Sequence, residues 1–188
     1  MPPGRRKVQL GAAATPLSSL VTTAPKRSEA VVLDDVDRQI LVLLSTDSRR
    51  SQRAMARELG MSAPAVGERI GRLERLSVIL GYGIRVGWDA AGFPMTVYLT
   101  ITAVQGYQQS LLVQSISRIP ELEDLHIVTG SIDMLARFRV RDHAHLRQLL
   151  MEQVWQIEGV QRTETSLSII EMEPKNVVAE LLADEPDA

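Results

Sequence analysis

An α+β chain in two parts, three short helices with a β-wing followed by a βαββαβ unit, is what the amino-acid sequence predicts. Three observations carry that expectation. Apolar residues recur with a helical period between Leu33 and Arg75, the period switches to two from Met95, and the charge changes sign along the chain.

The helical part begins at Leu33. Asp34 is a good N-cap with Asp37 at the third helical position, and Val36, Ile40, Leu43 and Leu44 fall on one face, which predicts a helix over 34–45. Thr46, Asp47 and Ser48 make a turn. Ser51 caps a second helix ending at Leu59, Gly60 can take the positive φ that follows a helix, and Ser62 caps a third helix running to Arg75. In that third helix Val66, Ile70 and Leu73 point inward, while Pro64 sits in the first turn, where its missing N–H costs nothing. Gly67 and Gly71 each cost about 1 kcal/mol relative to Ala. They suit a helix that approaches a groove floor or, alternatively, a tight helix crossing. Val78 to Val86, β-branched with Gly81 and Gly83 inside it, predicts a two-stranded wing carrying Arg85.

From Met95 the pattern is that of a half-buried sheet. Val97, Leu99, Ile101 and Ala103 alternate with Tyr98, Thr100 and Thr102. Gln108–Arg118 reads as a helix with Leu111, Leu112, Ser115 and Ile116 inward. Leu122–Val128 and Met134–Val140 read as strands around a turn at Gly130–Asp133. Asp142 caps a helix with Leu146, Leu149, Leu150 and Val154 inward, and Val160–Met172 is a closing strand. The order βαββαβ, with helices on one face of an antiparallel sheet, is that of a ferredoxin-like unit. The expected organisation is a disordered basic arm over 1–30, three helices over 31–80, wing and linker over 81–94, the ferredoxin-like unit over 95–174 and an acidic tail over 175–188.

Composition narrows the function. With 188 residues and 45% apolar content the chain can bury two small cores, and no stretch resembles a membrane span or a secretory signal core. The absence of cysteine excludes disulfides, thiolate catalysis and the usual structural zinc sites. Neither a metal nor a cofactor is expected, no membrane partner either, and the location reads as cytoplasmic. Residues 1–30 carry a net charge of +4, residues 31–90 of +1 and residues 91–188 of −7, with seven Arg against three Glu in 49–75. That gradient places attraction for nucleic acid in the first half.

Three helices with a wing and an Arg-rich middle predict a winged helix-turn-helix on double-stranded DNA, the third helix lying in the major groove. Arg49, Arg50, Ser51, Gln52 and Arg53 are placed to grip phosphates through side chains and free helix N-terminal N–H groups, and Lys26 and Arg27 are further candidates. Ser62, Ala63, Pro64, Ala65 and Glu68 face base edges, with Arg69, Arg72 and the wing's Arg85 flanking. No Asn or Gln sits on the recognition helix to pair with adenine, so shape and deformability must supply much of the specificity.

The stretches LDDVDRQILVLL, RRSQRAMARELGMSAPAVGERIGRLERLSVILGY and HIVTGSIDMLARFRV resemble the Lrp/AsnC family of feast/famine regulators, over about Leu33 to Lys175. The resemblance implies a winged helix-turn-helix, at 52–71, joined to a ferredoxin-like effector domain. It implies dimers assembling into tetramers or octamers, and a small ligand, commonly an amino acid. The family's effector-loop pattern Gly-Asp-x-Asp falls on Gly130, Ser131, Ile132 and Asp133, which with Thr129 form the candidate effector site: loop backbone for a carboxylate and Asp133 for an ammonium group. Ser131 departs from that pattern. So do Ser77, where the family has Gly, Arg50 at a usually apolar position, and Ser48 in place of Gly. Two other readings stand beside the regulator: an enzyme of the same architecture, a haem-pathway decarboxylase using His126, His143 or His145 with Arg137, Arg139 and Arg141, and a pure assembly protein. The three arginines alternate along one strand and also suit an ion-pair ladder.

Overall fold

The structure, a computed structural model, describes residues 30–182. The arm, with Lys26 and Arg27, and the end of the tail lie outside the described residues. Two compact units form, one of residues 30–85 with 172–182 and one of residues 86–171. Among the described residues no helix is long and apolar enough to cross a membrane.

The first unit is built on α1 (Asp35–Thr46), α2 (Gln52–Leu59) and α3 (Ala63–Arg75). Each starts where a short polar side chain can take a free N–H. Asp34 Oδ1 accepts from Asp37 N–H at 2.8 Å, Ser51 Oγ from Ala54 at 3.2 Å and Ser62 Oγ from Ala65 at 3.3 Å. Ile40, Met55, Ala56, Val66, Ile70 and Leu73 close the core. Gly60, at φ 63°, ends α2 as expected. A short helix α6 (Val177–Leu182) packs on α1, where Asn176 Nδ2 donates to Ser45 Oγ at 3.0 Å.

The end of α3 carries a local strain. The Val78 N–H bonds the Leu73 carbonyl at 2.9 Å and the Ser77 N–H that of Glu74 at 3.0 Å, the paired bonds of a Schellman ending. That geometry forces its turning residue into the left-handed region, and Ser77 sits there at φ 57°. It is the only non-glycine with positive φ among the described residues.

Three ion pairs fix α3 against the start of α1. The Asp37 carboxylate is buried, at 1% exposure, and takes Arg69 Nη1 at 2.9 Å and Arg72 Nη1 at 2.8 Å on separate oxygens. Arg69 Nη1 also reaches Asp34 Oδ2 at 2.6 Å. A buried carboxylate without a cation is costly by several kcal/mol, so the two helices are held in one register. Hydrogen bonding to Arg69, and then to the Asp37 N–H, holds the Asp34 carboxyl below its ordinary pKa of 3.8. The same bonds to Asp34 and Asp37 raise that of Arg69.

The expected wing needs correction. Residues 78–86 form no strand ladder. A tight hairpin needs positive φ in its turn, and neither Gly81 nor Gly83 has it, so the segment runs on with Leu80 and Ile84 exposed. It is anchored at Tyr82, whose hydroxyl donates to Glu74 Oε1 at 2.9 Å, and at Gly83, whose carbonyl accepts from Ser48 Oγ at 3.5 Å. At Gly67 a Cβ would stand 2.8 Å from Gln52 Oε1, the far end of a flexible side chain.

The second unit has β1 (Met95–Ala103), α4 (Gln109–Ile116), β2 (Leu122–Ile127), β3 (Met134–Val140), α5 (His143–Gln148) and β4 (Val160–Leu167). The strands are antiparallel in the order β2-β3-β1-β4, the ferredoxin-like arrangement the element order predicts. Val97, Leu99 and Ile101 of β1 and Met134, Ala136, Phe138 and Val140 of β3 fill one face, against Leu112, Ile116, Leu146, Leu149 and Val154. Full burial of each large aliphatic side chain is worth about 1.5–3 kcal/mol. After α5 the chain continues as a π turn (Leu149–Gln153), so that Leu149 and Val154, five apart, both face inward. Leu111, expected inward, is 46% exposed, because an eight-residue helix offers the sheet only the Leu112–Ile116 stripe. The closing strand also ends earlier than expected, at Leu167, and Ile169, Ile170 and Met172 are exposed.

Ser77→Gly should raise the urea midpoint by the equivalent of about 1 kcal/mol with an unchanged m-value, by releasing the left-handed strain. An unmoved midpoint would show that Ser77 carries none. Asp34 contributes stability that is complete above its ordinary pKa of 3.8 and is lost as pH falls through its lower folded value. Asn can still cap α1 but cannot pair with Arg69. Asp34→Asn should therefore flatten the fall in thermal stability between about pH 5 and pH 3, measured by calorimetry across that range.

Candidate nucleic-acid interface and effector loop

The helix-turn-helix presents cations of two kinds. Arg49, Arg53 and Arg57 are exposed, four residues apart, and no hydrogen bond or ion pair holds their side chains among the described residues. Arg53 and Arg57 share one face of α2, since residues four apart are helical neighbours. Arg57 was absent from the sequence reading, although the fourfold spacing from Arg49 was its signal. Of the remaining four arginines in 49–75, Arg75, at the end of α3, is exposed as well, and three are occupied. Arg50 turns onto Glu58 rather than outward to phosphate, and Arg69 and Arg72 are bound to the α1 carboxylates. These three, which sequence analysis places at the DNA, form ion pairs within the unit.

The first turn of α3 is open. Ser62 and Pro64 are exposed, with Ala63 and Ala65 half-buried between them, and Glu68 is exposed one turn on. The Ser51 and Ser62 hydroxyls accept from helix N–H groups, which leaves each O–H proton available to an outside acceptor. Gln52 lies over Gly67, so its amide belongs partly to the crossing. Arg85 is exposed on the extended segment, 3.7 Å from Glu173.

The effector-loop candidates lie between β2 and β3. Thr129, Gly130 and Ser131 are exposed, Ile132 and Asp133 half-buried. Gly130 has φ 131°, a conformation that side chains disfavour. Asp133 is tied into the sheet: its Oδ2 accepts from Ala103 N–H at 2.8 Å, its own N–H bonds the Ile101 carbonyl at 3.0 Å, and its carbonyl takes Val128 N–H at 3.0 Å. One oxygen of the carboxylate is therefore structural, and Oδ1 is the atom left for an ammonium group.

Most of the residues singled out for an enzyme have other partners, and His143 is exposed. His145 Nδ1 accepts from Arg141 N–H at 3.2 Å, which leaves Nε2 to donate to Glu121 at 3.0 Å. His126 is exposed beside Asp124. Arg137 binds Asp124 at 2.6 Å and Glu123 at 3.2 Å, and Arg139 binds Glu123 and Glu171, so β3 carries the ion-pair ladder rather than an open anionic pocket.

Comparison with known proteins agrees with this architecture. Residues 33–74 match the family model of the AsnC-type helix-turn-helix domain, and residues 96–178 that of the Lrp/AsnC ligand binding domain. An uncharacterised HTH-type transcriptional regulator of Pyrococcus abyssi is 32% identical over 140 residues, 74% of this chain and 88% of that protein. The leucine-responsive regulatory protein of Haemophilus influenzae is 31% identical over 153 residues, 80% of this chain and 91% of that one. In fold the chain is similar to Escherichia coli AsnC, with a TM-score of 0.73 at 20% identity, covering 78% of this chain and 99% of that one. It is equally similar to a Neisseria meningitidis transcriptional regulator solved with L-Met, with a TM-score of 0.73 at 17% identity, covering 76% and 94%. With its helix-turn-helix and its four-stranded antiparallel α+β domain, the chain belongs to the Lrp/AsnC family of transcriptional regulators.

Proposed function

We propose that this regulator grips duplex DNA phosphates with Arg49, Arg53 and Arg57 and reads the major groove with the first turn of α3, Ser62 to Ala65, and Glu68. The observation that carries the reading is the division of the arginines: Arg49, Arg53 and Arg57 are exposed and uncommitted on the positioning-helix side, whereas Arg50 is paired with Glu58 and Arg69 and Arg72 are tied to Asp37, where they hold α3 in place. Phosphate contacts fix register, and the small side chains of α3 let the helix approach base edges closely. Self-association sets two such helices on half-sites about one helical turn apart.

The second part of the proposal concerns the ligand domain. An amino acid binds at Thr129–Asp133, its carboxylate on the loop N–H groups and its ammonium on Asp133 Oδ1, and shifts the balance of assemblies and with it DNA affinity. The Neisseria neighbour holds an amino acid, L-Met, which supports this ligand class.

Both parts are open to direct measurement. Arg53→Ala and Arg57→Ala should each weaken duplex binding for all sequences alike and reduce the slope of log affinity against log salt by about 0.9. An unchanged slope in both would remove α2 from the phosphate contacts. Thermal-shift screening against the free amino acids should find at least one that raises the melting temperature. Asp133→Asn keeps an acceptor for Ala103 N–H but loses the charge. It should retain the fold and weaken that ligand about tenfold or more, whereas Asp133→Ala should also destabilise the sheet. Full ligand affinity in Asp133→Asn would take the ammonium off this residue.

A further inference from the structure

The chain passes between its two units twice, leaving the helix-turn-helix unit after Arg85 and returning to it at Met172. On the side of the ligand domain both connections are fastened to one side chain. Arg139, on β3, stands with its guanidinium carbon 5.7 Å from the centroid of the Trp88 ring, two residues past the first passage. The same guanidinium forks onto Glu171, the last residue before the second passage, with Nη1 to Oε1 at 2.8 Å and Nη2 to Oε2 at 2.9 Å. Its Nε donates to Glu123 at 2.7 Å, and Thr96 Oγ1 completes the cluster between Arg139 and Glu171.

The cluster is a built one. The Arg139 side chain is 11% exposed, and every edge of its plane is used. Burial would lower its pKa, but the bonds from Glu171 and Glu123 carry it above the ordinary value. Trp88 is itself fixed, edge-on to Phe93 at 6.3 Å and closed into a turn by the Phe93 N–H on the Trp88 carbonyl at 2.8 Å. Only a planar, five-donor cation can stack on a ring and fork onto a carboxylate at once, and a lysine cannot. On the other side of the passages Arg85 and Glu173 pair at 3.7 Å, both largely exposed, a contact of small worth.

We propose that Arg139 is a positioning residue that clamps both connections to β3, so that the two attachments of the helix-turn-helix unit are seated or released together. β3 begins at Met134, directly after the Thr129–Asp133 loop, so one strand carries the candidate effector site at one end and the clamp near the other. The clamp stands on its own contacts. The further step, that it relays ligand occupancy to DNA affinity, rests on the effector reading above.

Hydrogen exchange of the full chain tests the clamp. Trp88→Leu, Glu171→Gln and Arg139→Gln should each speed exchange by about tenfold or more in both segments, 87–94 and 168–172, while β1 and α3 keep their protection. Loosening confined to the segment that carries the substitution would overturn the clamp. If Arg139→Gln does not fold, the other two variants, which keep the guanidinium, still decide the matter. Arg139→Lys, which keeps the charge and loses the fork, should behave as Arg139→Gln. Full protection in the lysine variant would mean that charge alone suffices, against the proposal. For the relay, duplex affinity is compared with and without a mixture of the twenty amino acids. Arg139→Gln should keep the thermal shift yet lose the change in DNA affinity, and a retained change overturns the relay. Should the unsubstituted protein show neither shift nor response, the effector reading and the relay fail together, and exchange alone judges the clamp.

Discussion

A carboxylate with almost no access to water, Asp37, sits between α1 and α3, and the arrangement of the DNA-binding half follows from it. Two arginines from the recognition helix must be within reach of it, because its charge has no other partner there. That requirement fixes the rotation of α3 about its own axis. It ties Arg69 and Arg72 into ion pairs, whereas Arg49, Arg53, Arg57 and Arg75 stay exposed.

The ligand domain is organised by the same economy of charge on a different scaffold. Its core is apolar and one-sided, with β1 and β3 at the centre of the sheet and both helical segments on one face. Along the strand edge the acidic residues of β2 meet the arginines of β3 in an ion-pair ladder. Asp133 shows how a binding candidate and a structural group can coincide. Its backbone and one carboxylate oxygen close the end of the β1–β3 pairing, and that closure presents the preceding loop residues to solvent.

Much of this was legible in the sequence because it depends on neighbours in the chain. Caps need a short polar side chain next to an apolar period, and Asp34, Ser51, Ser62 and Asp142 each accept the N–H bond their positions implied. The sheet order was legible because strands of alternating burial joined by two helices have few compact solutions. The wing was misread for a physical reason: β-branched residues around glycines fit a strand in any extended segment, and composition does not say whether the glycines adopt the turn. Leu111 was misplaced because its neighbour Leu112, one position on, took the single inward stripe of a short helix.

By itself, then, the sequence determined the element order outside the wing, the helix caps, the apolar face of the central strands and the family, since all of these are written in local periodicity and motif spacing. Only the tertiary structure decided which charges are spent and which are free. Arg50, Arg53, Arg57, Arg69 and Arg72 look alike along the chain, and their partners Glu58, Asp34 and Asp37 lie up to 35 residues away in sequence. It also decided that the Gln52 side chain lies over Gly67 and that Arg139 meets Trp88 and Glu171. Such pairings arise from side chains brought together by packing, and no periodicity within one element encodes them.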